Sequence, residues 1–132
     1  MFLQYYVTES TTGNQVNIEI NEATKTDLDA TRNGWQTVWN TDFILDPQKE
    51  KYAAKTEDGE IIALGAYRVQ KGSVAVYIAY IESQPESNPT LVEHKKYSGI
   101  GKAMIAFGIQ LSIDASCNGV VVFEAKTDDL EQ

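Results

Sequence analysis

The chain has 132 residues, the length of one domain, and its 42% hydrophobic and 23% charged residues rule out disorder, collagen and coiled coil as whole-chain descriptions. One cysteine, Cys117, and one histidine, His94, leave no intramolecular disulfide, no four-thiolate zinc site and no multi-histidine metal centre. A balance of 11 basic against 19 acidic residues, net −8, gains nothing from counterion release on nucleic acid and favours cationic small molecules instead.

The longest uninterrupted hydrophobic run, residues 74–81, is eight residues, against about 20 for a membrane-spanning helix. The start, Met1-Phe2-Leu3-Gln4-Tyr5-Tyr6, lacks the basic opening of a signal peptide. The expectation is a cytoplasmic protein, free of membrane and nucleic acid, folded as a single domain over residues 1–132.

Residues 2–7 read as a strand. Thr11-Thr12-Gly13-Asn14 is turn chemistry. Val16, Ile18 and Ile20 then alternate with Asn17 and Glu19, the period-2 mark of a half-buried strand, so the two runs should pair as a hairpin. Between residues 22 and 45, Leu28, Trp35, Val38 and Trp39 fall at roughly helical spacing, with Thr24 or Thr26 available as a cap. Gly34 weakens that pattern by about 1 kcal/mol relative to Ala. One or two short helices are expected, ended by Asp46-Pro47, with Trp35 and Trp39 in the core.

Residues 51–56, 61–70 and 73–83 read as three strands, joined by the Glu57-Asp58-Gly59-Glu60 and Lys71-Gly72 turns. Connections this short make an antiparallel meander. Strict alternation places Tyr77 and Tyr80 on opposite faces of the third strand. A polar connection holding Pro85 and Pro89 follows over 84–98, with His94 reading as exposed.

Residues 99–117 read as one helix, with Ile100, Met104, Phe107, Leu111 and Ile113 at helical spacing. Its polar stripe (Lys102, Gln110, Asp114, Asn118) is narrow, so most of its sides should be covered. Asn118-Gly119 is a stop signal, and Cys117 reads as a small buried residue. Residues 120–126 are a near-continuous apolar run, expected to be a strand buried on both faces and parallel to 73–83.

The stretch that points to chemistry is Lys96-Tyr97-Ser98-Gly99-Ile100-Gly101-Lys102-Ala103-Met104, where a loop enters the long helix. The first turn of a helix carries unpaired N–H groups and partial positive charge. Glycines there let backbone approach a phosphate with no β-carbon in the way. Three of the 11 basic side chains, Lys95, Lys96 and Lys102, fall within the eight residues 95–102. The same glycines would also serve a ligand-free loop-to-helix junction.

Three phosphate patterns compete for this turn. The Walker A pattern needs four residues between its glycines and a Lys-Ser/Thr pair, and Gly101-Lys102-Ala103 fails on both counts. The dinucleotide pattern needs a third glycine where Met104 stands, and a short strand-to-helix turn. The third, Gln/Arg-x-x-Gly-x-Gly/Ala, is met by Lys96-x-x-Gly99-x-Gly101 with Lys in the first place.

On that motif, set between an apolar strand and an apolar helix, the chain resembles the GNAT superfamily of N-acetyltransferases. The resemblance covers residues 50–127. It implies an α/β (α+β) fold: a mixed, mostly antiparallel sheet flanked by helices, with a parallel strand–helix–strand unit at its C-terminal end. It implies that 73–83 and 120–126 splay apart around the pantetheine of acetyl-CoA, with main-chain contacts near Tyr80, Ile81 and Glu82. Lys96, Tyr97, Ser98, Gly99, Ile100, Gly101, Lys102 and Ala103 would hold the pyrophosphate. Glu82 would accept the proton of a primary amine, small molecule or peptide, that attacks the acetyl group. No metal is implied.

The chain departs from the family in three ways. Lys96 keeps the charge of Arg but not its fork. The connection before the motif is long. The sequence given ends at Gln132, without the following helix and its tyrosine that often protonates the leaving thiolate. The exposed edge of 120–126 is therefore expected to recruit a partner, as a homodimer or a protein complex. The rival expectation is a catalytically inactive CoA-binding or protein-interaction module on the same scaffold.

Overall fold

A computed structural model describes residues 4–32, 34–37, 39 and 47–124. Its strands are β1 (Tyr5–Glu9), β2 (Gln15–Glu22), β3 (Lys49–Thr56), β4 (Ile61–Arg68), β5 (Val76–Ser83), β6 (Tyr97–Ser98) and β7 (Val121–Phe123). Its helices are α1 (Lys25–Asp29) and α2 (Ile100–Asp114). The strands form one sheet in the order β6-β1-β2-β3-β4-β5-β7. Every neighbouring pair is antiparallel except β5 and β7, which run parallel with Val76 opposite Val121 and Ile78 opposite Phe123. The architecture is thus mixed α+β, and β5–α2–β7 is the parallel strand–helix–strand unit.

Hairpin β1–β2 forms as its alternation dictates, with Tyr5 opposite Ile18 and Val7 opposite Val16. Its turn closes through Glu9 N–H to the Asn14 carbonyl (2.9 Å), with Gly13 at φ +73°. Of the strand expected at 2–7, residues 2 and 3 lie outside the described residues, and the strand runs on to Glu9. Helix α1 starts at the cap Thr24, whose Oγ1 accepts from Asp27 N–H (3.1 Å) while the Asp27 carboxylate accepts from Thr24 N–H (2.9 Å). Two donors that the helix leaves unpaired are thereby satisfied. Asp27 also pairs with Lys55 of β3 at 2.9 Å, which ties α1 to the sheet. A single 3-10 turn, Ala30–Arg32, follows; Val38 and Asp46, used in the sequence reading, lie outside the described residues.

Neighbouring strand residues divide the core. Ala54 and Ala63 join Val7, Ile18, Ile100 and Met104 beneath α2, whereas Ala53 and Leu64 join Leu28 and Trp39 on the opposite face. Trp39 is fully buried and stacks on Tyr80, ring centres 5.4 Å apart, and Trp35 packs against the same cluster.

The meander carries two irregularities that the alternation does not announce. Between β4 and β5 the pairing steps from Ala66–Tyr80 to Tyr67–Ile78, leaving Ala79 as an extra residue. An extra residue resets the period-2 alternation. Tyr77 therefore pairs with Arg68 and Tyr80 with Ala66, two residues on one face of β4. The expectation of opposite faces for the two tyrosines is corrected. Ile62 is the extra residue between β3 and β4.

Strand β5 begins at Val76 rather than Ser73. Ser73 N–H bonds the Gln70 carbonyl (3.1 Å) and its hydroxyl donates to the Ala75 carbonyl (2.8 Å), extending the turn. Helix α2 ends at Asp114, before the expected stop, because Ser116 and Asn118 turn to φ +62°.

Helix α2 approaches the sheet closely over Gly65 and Gly108. A β-carbon at Gly65 would stand 2.7 Å from a Tyr67 ring carbon, and one at Gly108 3.2 Å from that ring. Tyr67 fills the space and donates its hydroxyl to the Met104 carbonyl at 2.8 Å. The sheet covers one stripe of the helix (Ile100, Ala103, Met104, Gly108, Ser112), while Ile109 and Ile113 are exposed. The expectation that α2 would be covered on most sides is thus corrected. So is the burial of the last strand on both faces, since Val122 is 42% and Phe123 59% exposed. Ala125 and Lys126 lie outside the described residues.

Candidate functional site

After β5 the chain leaves the sheet at Gln84, makes a 3-10 turn over Pro85–Ser87 and crosses to the far edge. Asn88 supports this connection, its Oδ1 accepting from Thr90 N–H (3.0 Å) and Thr90 Oγ1 (2.7 Å). The connection lands as β6, with Ser98 opposite Thr8 and Tyr97 opposite Glu9, and Ser10 N–H bonds the Lys96 carbonyl at 2.9 Å. Two residues are too few for a periodicity, so the sequence pattern does not mark this strand.

Gly99 then turns the chain with φ +86°, a conformation that side chains resist. The first intrahelical bond of α2 runs from Ala103 N–H to the Gly99 carbonyl (3.1 Å), and no side chain caps the helix. The N–H groups of Ile100, Gly101 and Lys102 precede that bond, at the positive end of the helix dipole, where a helix has no partners of its own for them. A β-carbon at Gly99 or at Gly101 would meet nothing within 4 Å, and both glycines are exposed. Beside the turn lies an open groove of about 740 Å³, lined by Tyr5, Tyr6, Lys95, Ser98, Gly99 and Lys102 among others.

The expected residues divide into groups. Ser98, Gly99, Lys102 and Ala103 line the groove, and Gly101 stands on the same turn. Tyr97, Ile100 and Ala103 are buried in the core, so what they offer a ligand is backbone. Tyr97 N–H is already bonded to Ser87 Oγ (3.0 Å). Lys96 reaches away to Glu60 (2.9 Å), whose hydrogen bond holds its ammonium above the ordinary lysine range. Lys95 takes its place on the groove.

Tyr80, Ile81 and Glu82 do not line the groove. Tyr80 stacks on Trp39 and accepts from Thr37 Oγ1 at 2.9 Å. Ile81 packs into the core beneath α2. Glu82 is 4% exposed, and its carboxylate accepts from Gln36 N–H (2.7 Å), Trp39 Nε1 (2.9 Å) and Thr37 N–H (3.3 Å). It anchors the segment after α1 to the sheet. Strands β5 and β7 are paired over Val76–Ile78, extended by Glu124 N–H to the Ile78 carbonyl (3.0 Å). The described residues of the two strands thus stay paired, and residues 125–126 of the expected splay lie outside the described ones.

The sequence reading missed β1 as a wall of the groove and Glu60 as the partner of Lys96. The strand was legible, but its contact with the glycine turn depends on where the long connection lands. A second groove of about 520 Å³ lies between Glu50, Arg68 and Tyr77. Its cation is engaged, Arg68 pairing with Glu124 (2.6 Å) and Gln48 (3.2 Å). Among the described residues no group of three His, Cys, Asp or Glu side chains is placed to hold a metal, and no helix is long and apolar enough to cross a membrane.

Fold and site together define a mixed α+β domain whose longest helix opens, uncapped and flanked by lysines, onto a groove. No protein-family model matches the sequence, and no curated protein matches it.

Proposed function

We propose that this chain is a GNAT-like N-acetyltransferase that binds acetyl-CoA at the glycine turn and passes the acetyl group to a primary amine. The observation that supports it is the open turn itself: a helix start that no side chain caps, two exposed glycines with free space above them, and Lys95 and Lys102 beside them. A diphosphate meets both requirements of such a place, a short approach to backbone and cations that stay in water. No metal is called for. In the reaction the amine nitrogen bonds to the acetyl carbon, the carbon–sulfur bond breaks and CoA leaves as the thiolate.

In this reading Glu82 takes the amine proton. A carboxylate has about four acceptor positions, and three donors occupy Glu82 here. Tyr80 and Ile81 would offer main-chain groups to pantetheine. The acceptor is a small-molecule or peptide amine, drawn by the acidic surface.

A second reading, a CoA-binding or protein-interaction module without turnover, is favoured by the burial of Glu82 and its separation from the groove. A homodimer through the exposed β7 side, with Val120, Val122 and Phe123, belongs to either reading. Calorimetric titration with CoA tests what the two share. Saturable heat that ATP displaces only weakly is expected. No heat at millimolar CoA overturns both. Thiol release from acetyl-CoA with a panel of amines separates them, since the enzyme alone produces it.

A further inference from the structure

Glu60 sits at the β3–β4 turn, far in sequence from the long connection, yet its carboxylate meets that connection at both ends. Oε2 accepts from Gln84 Nε2 and from Lys96 Nζ, each at 2.9 Å, and Oε1 accepts from the Tyr97 hydroxyl at 3.3 Å. Gln84 is the first residue after β5, and Tyr97 stands two residues before Gly99. Residues 84–97 therefore form a closed loop with both ends fastened to one side chain. Internal bonds tighten the closure: Ser87 Oγ donates to Gln84 Oε1 (2.9 Å) and accepts from Tyr97 N–H (3.0 Å), and Lys96 N–H bonds the Glu86 carbonyl (2.8 Å). Gln84 and Ser87 are buried, so these polar groups have no water to turn to.

Core packing of Tyr97 and Ile100 also holds the turn, but its hydrogen bonds to the sheet are few. Strand β6 meets β1 over two residue pairs, with one further bond from Ser10 to Lys96. A loop of this length loses closure entropy whenever its ends are held together, and a charge-assisted bond at each end offsets that cost. Glu60 thus adds a polar fastening to the packing that keeps Gly99 over the groove.

We propose that Glu60 is a positioning residue: by fastening both ends of loop 84–97 it sets the glycine turn against β1 and aims the first N–H groups of α2 and Lys95 into the groove. Its ligand consequence rests on the diphosphate reading above; the clamp itself does not.

The test compares wild type with Glu60→Gln, which keeps the shape and removes the charge, and with Lys96→Gln, which breaks the clamp from the other side should the first variant fold poorly. Amide hydrogen exchange is followed in the free protein, and CoA affinity by calorimetry. Expected is a loss of protection of about tenfold or more at Ser10, Lys96 and Tyr97, with the β3–β4 core amides unchanged, and CoA affinity lower by about tenfold. The double variant should show less than the sum of the single effects. Unchanged exchange at those amides overturns the clamp whatever CoA does. A loosened loop with unchanged CoA affinity overturns the positioning role. Absence of CoA heat in wild type overturns the diphosphate reading and leaves the clamp to be decided by exchange alone.

Discussion

At Gly65 a single hydrogen decides how α2 meets the sheet. A methyl group there would stand 2.7 Å from the Tyr67 ring and 2.9 Å from the Met104 methyl, in a fully buried layer. Gly65→Ala should therefore destabilise by about 1–3 kcal/mol in urea unfolding; no loss would mean that the layer has slack. Asp27 offers a residue-scale test of charge. Burial alone would push its carboxyl up, but the Thr24 N–H bond and the Lys55 ammonium outweigh burial and hold it below the ordinary range. A group held low adds stability above its unfolded value of about 3.9, and that stability is lost as pH falls through the folded value. Asp27→Asn should be less stable than wild type at neutral pH, with the gap closing on acidification; a gap that stays flat from neutral to acid contradicts this. Buried Trp39 and Cys117 were legible as single residues because apolar side chains leave water wherever a core exists. The shared face of Tyr77 and Tyr80 was not, because an extra residue such as Ala79 leaves no mark in composition.

Elements were legible where one period dominates. The hairpin and meander follow from alternation and from Gly-containing turns, and α2 from its apolar spacing. Their ends were less legible, since the Ser73 hydroxyl and the positive φ of Ser116 and Asn118 stop them by local bonds and torsions. The two glycines of the turn differ in kind. Gly99 needs its positive φ, and Gly101 is an ordinary helical residue with open space above it. Gly101→Leu removes a helix-weakening glycine, worth roughly 0.5–1 kcal/mol, while standing a side chain where the diphosphate would lie. Its melting temperature should equal or exceed that of wild type while CoA binding is lost. Retained binding would show that the ligand does not touch this turn.

On the scale of the molecule, the site depends on contacts between distant segments. β1 becomes a wall of the groove, and Glu60 a fastening, only because the chain crosses from β5 to the opposite edge before starting α2. No local pattern carries that path, so the glycine turn into α2 was legible in the sequence but its neighbours were not. Val120, Val122 and Phe123 at the β7 edge, and Ile109 and Ile113 on α2, are exposed apolar residues of the kind through which chains associate. Light scattering should report a dimer that Phe123→Lys weakens; a monomer at high concentration removes the dimer from the account.

Amide chemical-shift mapping during CoA titration tests whether the backbone N–H groups at the start of α2 grip a diphosphate. Ile100, Gly101 and Lys102 should shift first and furthest, followed by β1 residues along the groove. Saturable shifts centred elsewhere, with those three amides unmoved, would contradict it.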